Sequence, residues 1–158
     1  MSSDDYDRLG GIINPLEHTS YEVESPTNVF DAMEVIKSSR KKTDGDVQEW
    51  IKIKKPELIE LIAQTYFDPD KKKILNTVSE KPTTIPQILD ICNLAPTNGY
   101  RKINSLIKSG LMIPVGYVII QNRKKIKKYL AVIENVTIHM DKDSISVKVR
   151  FKKKNKTS

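Results

Sequence analysis

Between Pro96 and Ser109 the chain reads PTNGYRKINSLIKS, and a helix drawn through it sorts these residues onto two unlike faces. At about 100° per residue, Gly99, Ile103, Leu106, Ile107 and Gly110 fall on one side. Thr97, Arg101, Asn104, Ser105 and Lys108 fall on the other, with Asn98, Tyr100 and Lys102 beside them. The polar set contains no acid. Its members donate hydrogen bonds, and several are short enough to meet base edges in a major groove. An ordinary solvent-facing helix mixes glutamate with lysine. Tyr100 suits either a phosphate contact or packing beside Ile107. A second basic group follows at Arg123, Lys124 and Lys125, extended by Lys127 and Lys128. Such residues at the tip of a hairpin meet phosphates.

Other chemistry is poorly supplied. No Ser/His/Asp order, HExxH string or phosphate-binding loop occurs, so no catalytic activity is expected. The one cysteine, Cys92, cannot form an internal disulfide or a multi-thiolate metal site, and it reads as a buried apolar residue. His18 and His139 make no ligand cluster with it. No metal and no cofactor are expected. Trp50 reads as a core or interface anchor.

The charge is divided along the chain. The net formal charge of +7 combines −7 over residues 1–70 with +14 over residues 71–158. A concentrated positive half points to a polyanion, nucleic acid first, over a lysine-rich surface that is merely solvated. The longest uncharged run, Ser109 to Asn122, contains Pro114 and Gly116 and falls short of a membrane span, so no membrane partner is expected. The acidic start MSSDDYDRLGG lacks an apolar stretch, which argues against a secretory signal. With a single cysteine, this favours a soluble protein in the cytoplasm, associated with the nucleoid.

The elements that would position these groups can be read in turn. Residues 1–27 show no sustained periodicity and read as disordered or draped on the surface. A helix is expected near 28–40 with Asn28 as its cap, followed by a linker at 38–46. Val47–Lys55 suits a strand or a short helix. A wide apolar helix should start at Pro56 and run to Phe67. Asp68 is placed to cap a helix starting at Pro69, and Thr84 to cap a short helix ending near Cys92. Asn93 tolerates the left-handed backbone of a tight inter-helix turn. The helix from Pro96 should stop at Gly110. Leu111–Gln121 and Ile126–Ile133 then flank the turn Asn122–Lys125, and Val136–Met140 and Ser144–Phe151 form a second hairpin. Ile145, Val147, Val149 and Phe151 should share its apolar face.

A short helix, a tight turn, a helix with an acid-free face and a basic hairpin occur in the order of a winged helix-turn-helix. DPDKKKIL at 68–75 resembles the DPxRxxIL segment that opens ArsR-like winged-helix transcriptional regulators, most like the archaeal type. TIPQILDICNLAPTNGYRKINSLIKSGLM at 84–112 is similar to their helix-turn-helix, with Tyr100, Arg101, Ile103, Leu106, Gly110 and Leu111 at the matching positions. The likeness spans roughly residues 56–151. It implies the fold, DNA binding and homodimerisation. Three positions depart from it: Ala95 stands where a serine cap is common, Asn93 where the turn often has glycine, and the metal-sensing Cys-x-Cys is missing.

The expected class is therefore mainly α with a β-wing (α+β), a winged helix-turn-helix plus an extra C-terminal β-hairpin. Residues 1–46 form an acidic N-terminal segment, and 47–67 a linker and candidate dimerisation helix. Residues 68–133 form the DNA-binding domain, and 134–158 a β-hairpin and basic tail. The expected function is sequence-specific double-stranded DNA binding by a homodimeric transcriptional regulator. The DNA contacts fall to Thr97, Asn98, Tyr100, Arg101, Lys102, Asn104, Ser105, Lys108, Arg123, Lys124 and Lys125. The competing reading is a winged-helix protein-interaction module of a transcription, replication or chromatin assembly.

Overall fold

Asp68 ends one helix and begins the next. The computed structural model describes residues 28–39 and 49–153, so the readings made for residues 1–27, most of the 38–46 linker and the end of the basic tail lie outside it. Helix α1 is Val29–Ser39, α2 is Pro56–Phe67 and α3 is Pro69–Glu80. The Asp68 carboxylate accepts from the backbone N–H of Asp70 at 2.9 Å and of Lys71 at 3.1 Å. Pro69 holds the first helical position, where its missing N–H costs nothing. Such a cap contributes about 1 kcal/mol.

Helix α4, Ile85–Cys92, starts with a reciprocal cap. Thr84 Oγ1 accepts from Gln87 N, and the Gln87 side chain accepts from Thr84 N. Asn93 then adopts φ 53°, ψ 50°, the left-handed turn expected of it. Helix α5, Pro96–Lys108, follows without a side-chain cap at Ala95. The two helices touch closely at Gly99, where a Cβ would lie 2.1 Å from Leu89 Cδ2. Gly110, at φ +77°, ends the segment.

Six strands complete the described fold. They are β1 (Ile51–Ile53), β2 (Thr83–Thr84), β3 (Met112–Ile119), β4 (Lys125–Ala131), β5 (Ile133–Met140) and β6 (Ile145–Phe151). They form two antiparallel three-stranded sheets, ordered β2-β4-β3 and β1-β6-β5. The described residues thus make a mixed α+β fold with five α-helices and two small sheets. Val47–Lys55, open between helix and strand, contains β1, whose Ile51 and Ile53 pair with Val149 and Val147.

One core spans the elements. Val29, Ala32 and Met33 of α1, Leu58 and Ile62 of α2, Ile74, Leu75 and Val78 of α3, and Ile103 and Leu106 of α5 join Val147, Val149 and Phe151 of β6. Burying a side chain of this size stabilises by about 1.5–3 kcal/mol. Two elements run across the expected divisions. Ile133 and Glu134, on either side of the expected 133/134 division, share β5, and β6 contributes to the common core. Helix α1, from the segment read as 1–46, buries Val29, Ala32 and Met33 in the same core. One residue reading narrows and another changes. Trp50 is 42% exposed with the Arg150 guanidinium 4.9 Å over its ring, so it is no core residue. Ile145 is exposed, unlike Val147, Val149 and Phe151 on its strand.

Candidate nucleic-acid interface

Helix α5 turns its two faces as its sequence demands. Gly99, Ile103 and Leu106 are buried, while Thr97, Arg101, Asn104, Ser105 and Lys108 are exposed. At about 1.5 Å rise per residue, those five polar groups run along roughly 16 Å of helix. The segment from Ile91 to Ile133 contains no Asp or Glu, so no acid within it opposes the face.

Local contacts set what each group offers. Arg101 Nη2 donates to Asn98 Oδ1 at 2.7 Å, which fixes one edge of the guanidinium. Asn98 is half-buried and acts as a support for Arg101. Lys71 of α3 reaches Ser105 Oγ at 3.2 Å, adding a cation beside the face. Sequence reasoning missed Lys71, although the run Lys71–Lys73 directly after the Asp68 cap carried a signal. Tyr100 is 43% exposed and borders a shallow depression with Pro86, Leu89, Asn93, Leu94 and Pro96.

Lys102 requires a correction. Its ammonium lies 2.9 Å from Asp70 Oδ2 and 3.1 Å from Asp68 Oδ1, and its side chain is only 15% exposed. It ties α5 to the start of α3, so it is not offered to a ligand. The hydrogen bonds to Asp70 and then Asp68 raise the Lys102 pKa above its ordinary value. At Asp68, burial is the largest influence and pushes the carboxyl up. The Lys71 N–H, Lys102 and the Asp70 N–H together outweigh it, and the net pKa is lowered.

The second basic group sits on the β3–β4 ribbon. Gln121–Arg123 form a short 3₁₀ turn at its tip, with Asn122 at φ 64° and Arg123 at φ 60°. Ile120 N donates to Lys124 O at 2.9 Å across this tip. Arg123, Lys124 and Lys125 are all exposed, as is Lys127, and Lys128 is half-buried. Lys125 Nζ lies 4.5 Å over the Tyr117 ring, a cation–π contact that orients it. What the sequence did not indicate is the apolar company of these lysines. Tyr117 and Ile119 are 52% and 64% exposed.

No group of three or more His, Cys, Asp or Glu able to hold a metal ion occurs among the described residues. Cys92 is buried, as expected, with Sγ 3.4 Å from Thr77 Oγ1. His139 is exposed on β5. Among the described residues no helix is long and apolar enough to cross a membrane. No protein-family model, curated protein or solved structure matches the chain.

Proposed function

We propose that the chain is a winged helix-turn-helix protein of the ArsR-like, archaeal type that binds double-stranded DNA and regulates transcription. The observation that carries this reading is the exposed, acid-free face of α5, flanked by the basic tip of the β3–β4 ribbon. In this reading α4 and α5 are the helix-turn-helix, and β3–β4 is the wing. The extra C-terminal hairpin is β5–β6. Arg101, Asn104, Ser105 and Thr97 enter the major groove. Arg123, Lys124 and Lys125 meet the backbone, with Lys71 and Lys108 at the groove edge. Control is steric or by recruitment at a promoter, in the cytoplasm at the nucleoid, without catalysis.

A homodimer belongs to the same proposal, since one such module covers few base pairs and two half-sites lie about 34 Å apart or a multiple of it. Helix α2 supports it. Phe67 is 57% exposed and, with Pro56, Ile59, Ala63 and Ile145, lines an open apolar depression. Helix α1 does not offer its apolar face to this contact, because Val29, Ala32 and Met33 are buried in the chain's own core.

A second reading, a protein-interaction module within a transcription, replication or chromatin assembly, draws support from the exposed Tyr117 and Ile119 of the ribbon. Incubation with sheared genomic DNA followed by recovery and sequencing separates the two. Discrete, reproducible sites are expected for the regulator. Uniform weak coverage would leave the interaction module as the better reading.

A further inference from the structure

Phosphates need cations, and the wing offers more than cations. In the antiparallel register Tyr117 stands opposite Lys127, and Ile119 opposite Lys125, so these four side chains share one face of the ribbon. Ile120 at the tip is 43% exposed as well. Strand β3 is also the outer strand of its sheet, with nothing hydrogen-bonded along its far side among the described strands. Exposed apolar side chains on an unprotected edge mark a surface that another segment covers.

We propose that this face is the docking site of the chain's own residues 1–27. Three observations select that occupant. Its charge is complementary: six Asp and Glu stand against one Arg in residues 1–27, while residues 121–128 carry five Lys and Arg and no acid. Its apolar content matches too, since Leu9, Ile12, Ile13 and Leu16 lie among the acids, and Tyr21-Glu22-Val23-Glu24 alternates apolar and acidic residues at the period of a strand. The tether is the third. Asn28 Nδ2 donates to Lys108 O at 3.0 Å, and Val29 N donates to Ser109 O at 2.9 Å. Residues 1–27 therefore join the fold beside the end of α5, just ahead of β3, and an extended segment of that length reaches up to roughly 90 Å. The apolar depression around Phe67 is a poorer match, because Glu60 lines it and no Lys or Arg does.

Docked there, the segment occupies the cations that the DNA reading assigns to phosphates, and tethering gives it a high effective concentration. The docking stands apart from that reading, because it is measured without DNA.

The experiment uses the full chain with Ser20→Cys carrying a nitroxide spin label; Cys92, at 2% exposure, is shielded from the reagent. Amide resonances of Val115–Lys127 should broaden. The broadening should disappear when Tyr117→Ser and Ile119→Ser are added, and shrink as salt screens the charges. Broadening that survives those two substitutions, or that centres on Phe67 and Ile145, overturns the proposal. So does broadening that requires a second, labelled copy in a mixture with unlabelled isotopically enriched chain. In a separate arm, Asp4→Asn, Asp5→Asn, Asp7→Asn, Glu17→Gln, Glu22→Gln and Glu24→Gln are combined in the full chain. This variant should bind a random duplex roughly threefold to tenfold more tightly at about 50 mM salt. Unchanged affinity would overturn the competition with DNA.

Discussion

One side-chain amide, that of Asn28, caps the start of α1 and holds Lys108, 80 residues further on at the end of α5. Its Oδ1 accepts from Phe30 N at 2.8 Å and Asp31 N at 3.2 Å, capping α1. Its Nδ2 donates to the Lys108 carbonyl at the last turn of α5. Gly110 makes room for this, because a Cβ there would lie 1.8 Å from Asn28 Oδ1.

Asn28→Ala should therefore lower stability by about 1–2 kcal/mol, the loss of a cap together with the bond to Lys108. Gly110→Ala should cost more, since it both collides with Asn28 and places a side chain at φ +77°. Urea midpoints for the two single variants and the double variant measure this. The double variant should fall short of the sum, because both changes act on one contact. Strict additivity would show that Gly110 and Asn28 act separately.

The tie between Lys102 and the start of α3 predicts a pH signature. The Asp68 pKa is lowered on folding, so its contribution is present above the unfolded carboxylate value of about 4 and is lost as pH falls through the folded value. The Lys102 pKa is raised, so its contribution is full below about 10.4 and disappears as pH climbs through the folded value. Lys102→Met should lower stability by about 1 kcal/mol near neutral pH. The gap between variant and parent should narrow below pH 4 by about the same amount. A gap constant from acid to neutral pH would assign the loss to packing. Affinity for DNA should change less in this variant than in Arg101→Ala.

Base reading and backbone contact should separate by mutation. Arg101→Ala should cost about 1–3 kcal/mol and relax preference at one base position. Lys124→Ala should weaken all sequences alike and reduce the salt slope by about one. Arg123→Gly should have opposite effects on two quantities. At φ 60° glycine is the easier residue, so the fold should gain about 0.5–1 kcal/mol while DNA affinity falls. Altered sequence preference in Lys124→Ala, with Arg101→Ala silent, would reverse the proposed docking.

Phe67 tests the proposed homodimer. Phe67→Ser removes an exposed ring without opening the core, so the fold should stand while self-association weakens. Light scattering at micromolar concentration should find dimers of the parent chain and a shift towards monomer in the variant. A parent chain that stays monomeric with and without DNA would count against the dimer altogether.

The features legible in the sequence were those with partners close in the chain. Asp68 and Thr84 cap within two or three residues, and Asn93 and Gly110 carry their own backbone preferences, so the helix borders followed from residue type. The apolar face of α5 was legible for the same reason. Features made by distant partners were not. The carboxylates that hold Lys102 lie 34 and 32 residues away in sequence, so Lys102 looked like one more free cation. Strand β1 is three residues long, and the alternation of Ile51, Lys52 and Ile53 is too short to tell a strand from a helical turn. The helix near 28–40 was legible from its Asn28 cap, but nothing local said that Val29, Ala32 and Met33 would join the same core as α5.

The pairing of β1 with β6 has a consequence for synthesis. Ile51–Ile53 leave the ribosome early, whereas Val147–Val149, their hydrogen-bonding partners, come nearly the whole described chain later. During that interval the α3–α5 segment and β3–β4 have all their mutual contacts available and can pack as they emerge. The α2 face and the early isoleucines wait with apolar surface uncovered. Loop closure over so long a separation comes late and slowly. Nascent chains stalled before residue 145 should therefore bind chaperones through residues 51–67 and let go once β6 has emerged.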